Sequence, residues 1–73
     1  MQKLNHVLNH AKIRQLREGA SKSMQEMADD IHISNSMLGQ IETGIKIPNA
    51  NILAVIAAYL NVQIGDLYEQ TTA

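Results

Sequence analysis

Histidines, amides and a few acid and base side chains carry the chemistry available to this 73-residue sequence, and their spacing decides which of it is open. A nucleophile must lie within hydrogen-bond reach of a base to be activated. His6, His10 and His32 have no cysteine to act on, since the sequence contains none, and no partnered acid–base arrangement stands out around them. No catalytic residue is assigned, and an enzyme is not expected. His6 and His10 have the i, i+4 spacing of metal ligands carried on a helix, but a zinc site needs three or four ligands and no third is placed beside them. They read as a surface pair, so no metal and no cofactor is expected. The denser polar cluster is Asn35, Ser36, Gln40 and Thr43. An amide presents a donor and an acceptor side by side, which suits it to a flat polar edge that must be met by two hydrogen bonds at once.

Such groups act together only if one element presents them on one face. Ser34 is a suitable N-cap for a short helix over Asn35–Thr43, with Leu38 and Ile41 turned inward and Gly44 ending it. The polar residues and Met37 are then left facing outward. Before it, Ser23-Met24-Gln25-Glu26 has the form of a capping box, starting a helix whose Met24, Met27, Ala28 and Ile31 follow the i, i+3, i+4, i+7 rule and which must end at His32. After it, Pro48 interrupts, and Asn49 can cap a helix bearing Ile52, Leu53, Ile56 and Leu60, closed by Asn61. A short fifth helix from about Ile64 to Tyr68 would lay Ile64, Leu67 and Tyr68 over the core. Glu69–Ala73 is expected as a mobile tail.

The first helix is expected from about Leu4 to Glu18, stopped by Gly19 in a left-handed conformation. Its pattern is inconsistent. Ile13, Leu16 and Ala20 share one side, whereas Leu4, Val7, Leu8 and Ala11 cluster almost opposite. Either the chain breaks near Asn9-His10, or the N-terminal stripe is a second apolar face used against another subunit.

Hydrophobic residues make up 45% of the chain, rich in Ile, Leu, Ala and Met and without Phe or Trp, a composition suited to short packed helices. At this length a single core is near its lower limit, and with no cysteine to staple it the stability must come from packing, helped by a partner subunit. The expected architecture is all-α: a single domain over residues 1–73, a compact bundle of five short helices with its core at about 10–68. No apolar run is long enough to span a bilayer and no signal peptide opens the chain, so no membrane contact and a cytoplasmic location are expected. The formal charge of −1 runs against a phosphate-gripping surface, which is usually basic.

The ordered set Ser23-Met24-Gln25-Glu26-Met27-Ala28, then Ile33-Ser34-Asn35-Ser36-Met37-Leu38-Gly39-Gln40-Ile41-Glu42-Thr43-Gly44, then Pro48, resembles the Cro/repressor-type (XRE) helix-turn-helix family. The ending Asn61-Val62-Gln63-Ile64-Gly65-Asp66-Leu67 is also similar to the family's, so the resemblance runs from about Ile13 to Leu67. It implies a lambda-repressor-like fold with helix 35–43 in the major groove of DNA. Asn35, Ser36 and Gln40 occupy its usual base-reading positions, and Met37 and Thr43 are further candidates. Asn and Gln can bond adenine bidentately, and a Met can touch a thymine methyl. Arg17 and Glu42 match a pair that forms a structural salt bridge in this family. Gly39 costs roughly 1 kcal/mol against Ala within a helix, which close approach to the DNA backbone or to a neighbouring helix would justify.

Three positions depart from the pattern. The family's glutamine at the start of the second helix is Met24, its turn glycine is His32, and its basic loop is Ile45-Lys46-Ile47. The candidate phosphate ligands are therefore Lys22, Lys46 and the helix N-terminus around Gln25, while Lys12 and Arg14 read as solvated. Weak non-specific binding and a shallow salt dependence are expected. Ile45 and Ile47 are expected to turn into the core towards Pro48, the alternative being a protein-binding patch. The resemblance implies a transcriptional repressor that binds double-stranded DNA as a homodimer. The alternative is a protein-interaction module on the same scaffold, such as an antitoxin, anti-repressor or accessory subunit, with a protein partner.

Overall fold

The helix starts follow from four polar residues, each of which accepts a hydrogen bond from a backbone N–H that the first turn leaves without a partner. The computed structural model describes residues 4–72, with side chains placed for residues 7–69. Asn9 caps α1 (His10–Gly19), Ser23 caps α2 (Met24–Asp30), Ser34 caps α3 (Asn35–Thr43) and Asn49 caps α4 (Ala50–Tyr59). At α2 the capping box is complete: Glu26 N donates to Ser23 Oγ at 3.0 Å, and Ser23 N donates to Glu26 Oε1 at 2.9 Å. These bonds hold the Glu26 carboxyl below the ordinary range, with the Ser23 backbone amide as the largest cause.

The turns use left-handed backbone where the chain must reverse. Gly44 ends α3 with φ 85°, and His32 takes φ 62° in the position where the family has glycine. Ser21 and Asn61 do the same after α1 and α4, each at φ 59°. Gly19 does not, contrary to expectation: it is still helical, and the reversal falls at Ser21.

The remaining elements correct the all-α expectation. Leu4–Leu8 forms strand β1, which pairs antiparallel with strand β2 (Tyr68–Thr72) in a two-stranded sheet from Leu4 opposite Thr72 to Leu8 opposite Tyr68. The expected first helix is thus broken at Asn9, whose N–H donates to Leu67 O at 2.8 Å. The expected tail supplies the partner strand. Residues Ile64–Leu67 form a 3-10 turn rather than a fifth α-helix, and only Leu67 of the three expected core residues is buried; Ile64 and Tyr68 are exposed. Among the described residues, the fold is four α-helices, one 3-10 turn and a small β-ribbon.

The core lies between the helices. Ile13, Met27, Leu38, Ile41, Ile56 and Leu67 are fully enclosed, with Ala28, Leu53, Ala57, Leu60 and Leu8 around them. Leu8 anchors the root of the ribbon in this cluster. Ile45 and Ile47 do not turn inward: they are 77% and 76% exposed. Both Ile45 N and Lys46 N donate to Gln40 O, so the loop wraps back over the end of α3 and points outward until Pro48, which is buried.

Candidate nucleic-acid interface

At 100° per residue, a helix that buries Leu38, Ile41 and Glu42 must turn Ser36, Gln40 and Thr43 away from the core. All three are exposed, as is Asn35 in the first turn, while Met37 and Gly39 lie half-buried on the flanks. The outward face of α3 is a row of short, uncharged polar groups. Met37 packs against the core cluster, which limits its reach outward. The Thr43 hydroxyl donates to Gly39 O at 2.9 Å, so towards a base it offers lone pairs rather than a proton.

Two contacts fix α3 in place. Arg17 Nε donates to Glu42 Oε2 at 2.8 Å and Nη2 to Oε1 at 3.1 Å, a two-point pair buried between α1 and α3. Its Nη1 donates to Lys22 O at 2.8 Å and ties in the turn before α2. The Arg17 pKa is raised, chiefly by the hydrogen bond to Glu42, against the desolvation that lowers it. At the other end, His10 Nδ1 donates to Ile41 O at 2.6 Å, and a Cβ built on Gly44 would lie 3.4 Å from the His10 ring. A carbonyl oxygen only accepts, so Nδ1 carries the proton. The break near Asn9-His10 was one of the two alternatives the sequence left open, but this contact was not anticipated, because it joins residues 31 apart in the chain. The helical pairing of His6 with His10 is lost at that break: His6 lies in β1 and His10 opens α1.

The candidate phosphate ligands are scattered. Lys46 is exposed in the loop after α3, and Lys22 is half-buried before α2. Gln25 is exposed, but its side-chain Nε2 donates along α2 to Asp29 Oδ1 at 2.8 Å. The N-terminus of α2 also carries the anionic Glu26 of the capping box, which competes with a phosphate for the same amides. Met24, at the family's glutamine position, lies on Gly39, its Cε 3.6 Å from where a Cβ there would stand. Beside the polar face of α3, an open cleft of about 360 Å³ is lined by Arg14, Arg17, Met24, Gly39, Glu42 and Thr43. Arg14 is exposed and paired with Glu18 at 3.3 Å.

Comparison with known proteins agrees with this arrangement. A family model for the helix-turn-helix matches residues 13–67. The chain is 41% identical over 56 residues to uncharacterized HTH-type transcriptional regulators from two strains of Mycobacterium tuberculosis, a match covering 77% of this chain. It spans only 40% of the length of those relatives. Among solved structures, SinR, described as the master regulator for biofilm formation and solved in complex with DNA, superimposes with a TM-score of 0.76 at 26% identity, covering 82% of this chain and 97% of that one. With most of its length matched by the family model and its polar helix set in the same scaffold, this chain belongs to the XRE-type helix-turn-helix family of transcriptional regulators.

Proposed function

We propose that residues 1–73 act as one DNA-binding unit that recognises a specific double-stranded site as a homodimer and represses transcription in the cytoplasm. The observation that carries this reading is the outward face of α3, where Ser36, Gln40 and Thr43 stand in line with no charge among them. Such a row enters a major groove without repelling phosphates, and its amide can meet an adenine edge with two bonds. Asn35, Ser36 and Gln40 are assigned to base edges, with Met37 and Thr43 as flanking contacts. Lys22 and Lys46 are assigned to phosphates, with a smaller part for Gln25. Two copies would set their α3 helices about 34–36 Å apart on a pseudo-palindromic site. SinR, solved with DNA, supports the same use of the scaffold.

The test is selection of binding sites from random double-stranded DNA, followed by titration of the selected site with the parent and a Gln40→Glu variant. A two-fold motif is expected, with specific binding lost in the variant and helicity unchanged, because a carboxylate would face acceptor-rich base edges and phosphates. Unaltered affinity removes Gln40 from the reading set. Failure to enrich any motif at low salt favours the second reading, a protein-interaction module. Ile45 and Ile47 support that alternative, since two largely exposed isoleucines flanking one lysine form an apolar rim beside α3.

A further inference from the structure

The β-ribbon lies outside the residues that match the helix-turn-helix family, since both Leu4–Leu8 and Tyr68–Thr72 fall beyond 13–67. It therefore needs a role of its own. Among the described residues, the two-stranded sheet leaves one edge of each strand without a neighbour. A ribbon of five residues a side is at most marginally stable alone and needs further strands or packing against helices, which here Leu8 supplies at the root of the ribbon. Natural edges are blunted by charge, proline or a bulge. β1, Leu4-Asn5-His6-Val7-Leu8, has no Asp, Glu, Lys, Arg or Pro, and its pairing with β2 runs in unbroken register. β2 carries Glu69, which accepts from Asn9 Nδ2 at 3.2 Å. The unprotected edge is that of β1.

We propose that the β1 edge pairs antiparallel with the β1 edge of a second copy, joining two ribbons into one four-stranded sheet ordered β2-β1-β1-β2. A two-fold axis through the middle residue sets His6 opposite His6, Leu4 opposite Leu8 and Asn5 opposite Val7. No Asp, Glu, Lys or Arg on the strand then faces its like across the axis, so none of the like-charge opposition from those groups that disfavours a cross-strand pair arises. Self-pairing is what makes a second copy the occupant: the same five residues form both sides of the contact, as a two-fold interface requires. Val7, 49% exposed, gains cover from it. The join also reaches α3, because the ribbon root runs directly into His10, whose ring holds the Ile41 carbonyl. This inference builds on the homodimer in the proposed function by naming its interface.

The absence of native cysteine gives a direct test without DNA. A single His6→Cys substitution would bring two sulfur-bearing residues to a Cα separation of about 4.5–5.5 Å across the axis, within disulfide reach. A Gln70→Cys substitution, one strand further out on each side, would leave them about 14 Å apart, beyond it. Under mild oxidation the His6→Cys protein is expected to run as a covalent dimer and the Gln70→Cys protein as a monomer, with light scattering giving a dimeric mass for the unmodified chain. Cross-linking at position 70 but not 6, or a monomeric mass at 100-fold dilution steps up to the highest soluble concentration, overturns the proposal. Site selection on the unmodified chain reports separately on DNA binding. A two-fold DNA motif without the position-6 cross-link would sink the ribbon interface alone.

Discussion

Gly39 places in a short helix the residue that, proline apart, least favours helical backbone, and nothing around it requires that. Its φ is not positive, and a Cβ there would meet only Met24 at an ordinary contact distance of 3.6 Å. Gly39→Ala should therefore raise stability by about 1 kcal/mol, read as an increase of roughly 4–8 °C in Tm. If the glycine is kept for close approach of DNA, the same variant binds its site more weakly. A melting curve and a binding titration on one preparation separate the two effects, and an alanine variant with parental affinity would show that DNA does not approach there. His32 is the opposite case. It occupies a left-handed turn that glycine would fill without strain, at the position where the family pattern has glycine.

At the scale of elements, the buried Arg17–Glu42 pair fixes α3 against α1. Breaking such a pair strands a charge at a cost of about 3–5 kcal/mol, whereas replacing both partners with apolar residues is often neutral or better. Arg17→Ala is expected to lose much of the stability of a domain whose total is about 5–10 kcal/mol, while Arg17→Met with Glu42→Leu should melt near the parent. A single variant as stable as the parent would show that the pair does not hold the helix. The starts of α2, α3 and α4 could be read from the sequence because their signals are local: Ser23, Ser34 and Asn49 cap where expected, and α2 and α3 end before His32 and Gly44. The strands could not be read this way. Leu4, Val7 and Leu8 fit a helical stripe as well as a strand, and what decides between them is a partner at the far end of the chain. The loop isoleucines were misplaced for a related reason. Hydrophobicity argued for burial, but two backbone bonds to Gln40 O turn them outward.

For the whole molecule, charge is the governing quantity. With a formal charge of −1 and an uncharged α3 face, DNA affinity has few phosphates to draw on. If Lys22 and Lys46 are the principal ligands, log K against log salt should fall with a slope of about −2 per copy, and Lys46→Gln should reduce it by about 1. A slope several times steeper would mean that other cations, Arg14 among them, reach the backbone. The outward polar row proposed to read bases was legible as a set because one helix carries it. The proposed phosphate contacts were less so, because Gln25 turns to Asp29 and Glu26 occupies the helix end that an anion would use.

Joining the first strand to the last has a consequence for how the chain is made. Leu4 is synthesised before any helix, yet its partner Thr72 follows all of them. The helices can pack through contacts close in sequence, which form quickly, whereas this closure spans nearly the whole chain and carries the largest entropic delay. On the ribosome, β1 therefore emerges before the helices and waits through the synthesis of all of them, its backbone without this partner until β2 follows.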